Sequence, residues 1–213
     1  MKKLFVTTAA LALLASPALA NDFTGPVVGL SLAYSWGTVD GALTDGTTTF
    51  SDDTDLSGFE GGLFAGYRYQ FPSKFVLGAE IGGNISNADG SYYITDGVDT
   101  AELKFEKKHQ FYIDLKPGYV VQDNTLLYGL VGYQNTKFEA EGFWNGTSVG
   151  TDDDTFGGLR LGAGIEYMTE ANTSFRLQYH YTAYSDKTYN YPGYTEKWDG
   201  HDSTIELGLA YNF

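Results

Sequence analysis

Hydrophobic and polar positions alternate with a period of two in most of the chain past residue 27. Val28, Leu30, Leu32, Tyr34 and Trp36 alternate with Gly29, Ser31, Ala33, Ser35 and Gly37. The last stretch repeats this, with Ile205, Leu207, Leu209, Tyr211 and Phe213 set against Glu206, Gly208, Ala210 and Asn212. Five further stretches, 59–71, 75–82, 110–119, 159–167 and 175–182, carry the same pattern. An eighth, 125–138, leaves its phase open because Leu126, Leu127, Leu130 and Val131 fit either face. A strand sends successive side chains to opposite faces, so the pattern predicts eight strands. Their connections alternate in length. Residues 72–74, 122–124 and 169–172 are short, while 40–57, 87–101, 139–155 and 185–201 are long. The prediction is an all-β, eight-stranded antiparallel up-and-down transmembrane β-barrel with short periplasmic turns and four long extracellular loops.

The polarity of the two faces separates a membrane barrel from a soluble one. A soluble barrel turns its apolar face inward. Here the second face carries Glu60, Arg68, Glu80, Lys104, Glu106, Lys108, Asp114, Lys116, Arg160, Glu166, Arg176 and Glu206, and much of the rest is Gly, Ser, Gln and Asn. These are six acids and six bases among small residues, as expected of a narrow interior filled by ion pairs. The apolar face then meets lipid. Phe71, Phe75, Tyr119, Tyr167, Phe175 and Tyr211 fall near strand ends, where an interfacial aromatic girdle belongs.

The first twenty residues read as an export leader. Lys2 and Lys3 precede the apolar run Leu4–Leu14, and Ala18-Leu19-Ala20 has the form of a cleavage site. The expected organisation is therefore a cleaved signal peptide over 1–20 and one barrel domain over 21–213, reaching the outer membrane of a Gram-negative envelope through Sec export. Past residue 20 no apolar run approaches the ~20 residues that a membrane helix needs. The chain has no cysteine, which excludes disulfide scaffolds and thiolate chemistry. Its net charge of −14 argues against nucleic acid as a partner.

Several phrases carry a family resemblance. The ending Leu209-Ala210-Tyr211-Asn212-Phe213 resembles the signature by which bacterial outer-membrane barrels are recognised for assembly. Phe64-Ala65-Gly66-Tyr67-Arg68-Tyr69, Lys116-Pro117-Gly118-Tyr119, Gly164-Ile165-Glu166-Tyr167 and Arg176-Leu177-Gln178-Tyr179-His180-Tyr181 resemble the porin-family and outer-membrane-protein-A-like eight-stranded barrels. The resemblance implies that Phe213 addresses the barrel assembly machinery. It also implies a switch of two acids and two bases in the lumen, with Glu80, Lys116, Glu166 and Arg176 in those places. Glu60, Arg68, Asp114, Arg160 and Glu206 would be further lumen charges. The fifth strand departs from the pattern by carrying Leu130 where that family tends to place another base.

The long connections hold sixteen acids and two lysines, Lys187 and Lys197. Such a surface is solvated and repulsive, or meets divalent cations that bridge lipopolysaccharide. Asp53-x-Asp55-x-Ser57-Gly58 starts like a calcium loop, but its twelfth position is Phe64 rather than Glu, so no metal site is assigned. Tyr189, Tyr191, Tyr194 and Trp198 are candidate recognition residues. His180-Tyr181-Thr182 sets a histidine near a hydroxyl at strand spacing. By parity it faces the lumen and lacks an orienting partner, so neither catalysis nor a cofactor is expected. The reading is a monomeric integral outer-membrane barrel in contact with outer-membrane lipid and lipopolysaccharide, with a structural and surface-interaction role. The alternatives are a small gated porin passing ions through its charged lumen, and a surface adhesin or antigen meeting a host or phage ligand through its acidic, aromatic loops.

Overall fold

The computed structural model describes residues 22–45, 49–95 and 98–213; the expected leader lies outside them. Ten strands follow one another: β1 (Gly25–Thr44), β2 (Thr49–Gln70), β3 (Phe75–Ser86), β4 (Asp89–Thr95), β5 (Thr100–Gln122), β6 (Thr125–Trp144), β7 (Thr147–Met168), β8 (Thr173–Tyr184), β9 (Lys187–Tyr191) and β10 (Tyr194–Asn212). All pairings are antiparallel, and β1 pairs with both β2 and β10, which closes the ring. β3 and β4 both lie along β5, and β8 and β9 both lie along β10. Each pair is one interrupted stave, so the barrel has eight staves. At the first interruption Asn87 N–H donates to the Phe59 carbonyl and Lys107 N–H to the Ala88 carbonyl, which carries the ladder across the gap.

The short turns lie at Phe71–Lys74, Asp123-Asn124 and Thr169–Asn172. The long connections are built mostly as strand. β1 and β2 stay paired out to Thr44 and Thr49, and β6 and β7 out to Trp144 and Thr147. Asn145 (φ 48°) and Gly146 (φ 77°) close that hairpin. Two successive left-handed residues make the tight turn whose twist matches its flanking strands. In β7 every residue from Thr147 to Asp153 is exposed, so both faces stand in water there.

Below these hairpins the outer face is apolar and bare. Leu32 is 58% exposed, Leu63 63% and Phe111 64%, alongside Leu30, Ile113 and Leu207. A continuous apolar belt of this kind has no place in water and fits a lipid environment. Phe71, Phe75, Tyr119, Tyr167, Phe175 and Tyr211 are exposed on the periplasmic rim of that belt. A second rim runs along its outer edge, where Tyr34 meets Phe59 at 5.2 Å and Trp36 meets Tyr179 at 6.5 Å.

The strand whose faces stayed open is resolved by what fills the barrel. Leu126, Tyr128 and Leu130 point inward, together with Gln134 and Thr136. Leu126 and Tyr128 pack with Phe23, Val76, Val120 and Met168 into an apolar plug at the periplasmic end. The lumen is thus not polar throughout, which is why the apolar residues of 125–131 fitted either phase. One expectation is corrected in β5. A register shift between Lys107 and His109 inverts the alternation toward the chain's N-terminal side. A bulge places two residues opposite one and so exchanges the faces beyond it. Lys104, Glu106 and Lys108, read as inward, are therefore half exposed on the outer side, and Lys107 is buried inside instead.

Candidate functional site: the ion-paired lumen and its mouth

The inner face is a stack of charge clusters, each assembled from several staves. Nearest the apolar plug, Arg68 Nη1 of β2 donates to Glu166 Oε1 of β7 at 2.8 Å, and Ser174 Oγ to the same oxygen at 2.5 Å. The other guanidinium nitrogen of Arg68 hydrogen-bonds Asn212. Above it, Arg176 of β8 lies between two carboxylates, 2.7 Å from Glu80 of β3 and 2.6 Å from Glu206 of β10. Lys116 of β5 reaches the second oxygen of Glu80 at 2.7 Å. The Arg176 guanidinium also lies 3.5 Å from the centre of the Phe64 ring. Gly208 makes room for it, since a Cβ there would come within 2.6 Å of the Arg176 side chain.

Higher still, Arg160 stands 3.5 Å from Asp114, both side chains fully buried, and donates to Gln134 at 3.0 Å. Its guanidinium lies 4.0 Å from the Tyr112 ring centre. The uppermost cluster centres on Lys107, 2.7 Å from Glu60 and 2.6 Å from Asp202. The Tyr184 hydroxyl donates to the same Asp202 carboxylate at 2.7 Å. Gln110 and Asn84 donate to Glu60. His180 is buried within this stack beside Gln178.

Glu80, Lys116 and Arg176 thus form one bonded cluster, and its fourth member is Glu206. Glu166 pairs with Arg68, yet all four residues of the expected switch line one cavity of about 20 Å³. That holds about one water molecule. Glu60, Arg68, Asp114, Arg160 and Glu206 are all buried inside the wall. Sequence reasoning missed Lys107 and Asp202. Asp202 could have been found by continuing the even-numbered inner row of β10 from Glu206 through Thr204. Lys107 could not, because nothing in Lys104–Lys108 marks the bulge.

At the extracellular end the lumen opens into a cup of about 560 Å³ bounded by Tyr189, Tyr191, Trp198 and the acids Asp152, Asp154 and Glu196. The Tyr189 hydroxyl and the Lys187 ammonium both donate to Asp154. Burial would push the Asp154 carboxyl up, but these hydrogen bonds outweigh it and hold the group below its ordinary value. The same bond pushes the Tyr189 hydroxyl up to about 12, so it stays a donor at neutral pH. Tyr194 stacks on its cross-strand partner Tyr191 at 4.7 Å. Phe213, at the opposite end, donates its N–H to the Pro26 carbonyl at 3.0 Å and sets its ring edge-on to Tyr211. Among the described residues no group of three His, Asp or Glu side chains converges to hold a metal ion.

Comparison with known proteins places this architecture. The chain is 28% identical over 184 residues to the 31 kDa outer-membrane immunogenic protein of Brucella melitensis biotype 1, covering 79% of this chain and 74% of that one. It is 28% identical over 182 residues to the 22 kDa outer membrane protein of Rhizobium leguminosarum bv. viciae, covering 81% and 75%. In structure it resembles the outer membrane protein OprG of Pseudomonas aeruginosa, with a TM-score of 0.52 at 15% identity over 92% of this chain and 100% of that one. The outer membrane protease OmpT of Escherichia coli aligns with a TM-score of 0.53 at 12% identity, covering 88% and 96%. These two likenesses show the fold alone. The family model described as "Outer membrane protein beta-barrel domain" matches residues 6–213. The chain belongs to that family and is an integral β-barrel protein of the outer membrane.

Proposed function

We propose that the protein is a closed structural barrel of the envelope whose contacts are made by its extracellular hairpins. The observation that carries this reading is the contrast between a lumen filled by its own ion pairs, with a cavity of about 20 Å³ at the Glu80 cluster, and a mouth that is open and aromatic. Open aqueous channels belong to barrels of about 16 strands. That two relatives are named outer-membrane immunogenic proteins supports surface exposure of such hairpins. Phe213 is the assembly signal in this reading, and deleting it lowers the amount of protein reaching the outer membrane.

The test is single-channel recording of the refolded mature chain in planar bilayers, beside Glu80→Ala. Silence from the native chain supports the closed barrel, and steady openings overturn it. Glu80 favours the gated porin as a second reading, because its two oxygens hold Lys116 and Arg176 separately and can release one without the other. That reading predicts discrete openings that Glu80→Ala lengthens. The adhesin reading is tested by replacing 185–201 with a Gly/Ser linker; unchanged host-cell or phage attachment sinks it.

A further inference from the structure

The cup at the mouth has a lining that the wall chemistry below it does not explain. Above the Lys107 cluster the inner row of the barrel turns aromatic. Phe138 of β6 packs edge-on to Phe156 of β7 at 5.8 Å and to Tyr184 of β8 at 5.5 Å. Phe105 of β5 meets Trp198 of β10 at 5.6 Å. Phe105 is on this face because of the same bulge that brings Lys107 inward. Strands standing in water need no apolar inner surface. Leaving one open to solvent is unfavourable, because water orders around apolar surface it cannot bond to. An aromatic lining around an open 560 Å³ therefore points to an occupant with an apolar body. The volume lies within the ~300–1,000 Å³ of small-molecule sites.

The charge around the cup selects the sign of that occupant. Asp152, Asp153, Asp154, Glu196 and Asp199 border it, and no basic residue does. Lys137, Lys187 and Lys197 neutralise Asp153, Asp154 and Asp199 from outside the lining. Asp152 and Glu196 have no basic partner among the described residues. Glu196 accepts the Trp198 indole N–H at 2.7 Å, which fixes that ring against the cup. Just outside the lining an ammonium already lies against one of these rings, with Lys187 Nζ 4.6 Å from the Phe156 ring centre. Ring faces attract cations, and nearby carboxylates add to that attraction.

We infer that the extracellular cup is a binding site for a small organic cation, an apolar body bearing one ammonium head, held between Trp198, Tyr189 and Phe156 and oriented by Asp152 and Glu196. The inference goes beyond the closed-barrel reading and is independent of whether the lumen conducts.

The test titrates the refolded mature protein in zwitterionic micelles with benzyltrimethylammonium by isothermal calorimetry. The anion 4-methylbenzenesulfonate and the neutral benzyl alcohol serve as shape controls. The expected result is saturable binding of the cation alone, weakened as salt is raised. Trp198→Ala should weaken it about tenfold. The double variant Asp152→Asn, Glu196→Gln keeps the cup's shape and should weaken it by a similar factor, with folding checked by circular dichroism. No saturable heat with the cation overturns the inference. So does equal binding of sulfonate or alcohol, or full affinity in the double variant.

Discussion

The same staves build two interiors. Within the membrane-spanning part, Glu80, Arg176 and Glu206 meet across the lumen at 2.6–2.7 Å and leave room for about one water. Higher in the hairpins, Phe105, Phe138 and Trp198 occupy the equivalent inward positions and leave about 560 Å³ open. The difference follows from what each interior must avoid. In the narrow lumen large side chains must be accommodated, and a buried charge without a partner is costly, so each arginine lies between acceptors. Glycines such as Gly208 create the space those long side chains use. In the mouth water solvates any charge, so ion pairs there are worth little and inner-row chemistry is free to serve binding.

The sharpest way to break this contrast is Arg176→Ala. It strands Glu206 in the closed interior, leaves Glu80 with Lys116 alone, and should cost about 3–5 kcal/mol, read as a lower midpoint in urea unfolding of the refolded barrel. A midpoint matching the native chain would mean the lumen is wet and its pairs are dispensable. Next in size is a comparison of outer faces. Leu32→Arg in the lipid belt should cost about 2–4 kcal/mol, whereas Val149→Arg on the exposed arm of β7 should stay within about 0.5 kcal/mol. Equal effects would place the membrane boundary elsewhere.

The smallest effect sharpens the mouth side. Asp154 has a carboxyl held below its ordinary value of 3.8 in the folded protein. Its contribution is therefore fully present above that value and is lost as pH falls through the lower folded value. Amide exchange in β9 should speed up only in that acidic window, modestly, because the pair is partly exposed. Faster exchange already at neutral pH would show that Lys187 and Tyr189 do not anchor the hairpin. Single-channel silence and the calorimetry of Trp198→Ala complete the set, one for each interior.

Much of the barrel was legible in the order of residues. Period two between Val28 and Trp36, and again between Ile205 and Phe213, assigns faces without further information, because a strand has only two. The polar identity of the second row told which face was lumen, and Glu60, Arg68, Asp114, Arg160 and Glu206 lie inside with the four residues of the expected switch. The mouth was less legible. Tyr189 and Trp198 stood out as aromatics, but their partners Phe105, Phe138 and Phe156 come from other hairpins and share a cup only after closure.

The sequence by itself determined the number of staves, the alternation of lipid and lumen faces, and the near balance of charge inside, since all three depend on local period and composition. Tertiary structure alone decided the phase of β6, where Leu126 and Tyr128 point inward because an apolar plug with Phe23 and Val76 exists to receive them. It alone exchanged Glu106 and Lys107 across the wall of β5, since a bulge leaves no mark in composition. It also chose the partners, giving Glu206 rather than Glu166 to Arg176, because pairing depends on how the closed ring's stagger sets one stave against another.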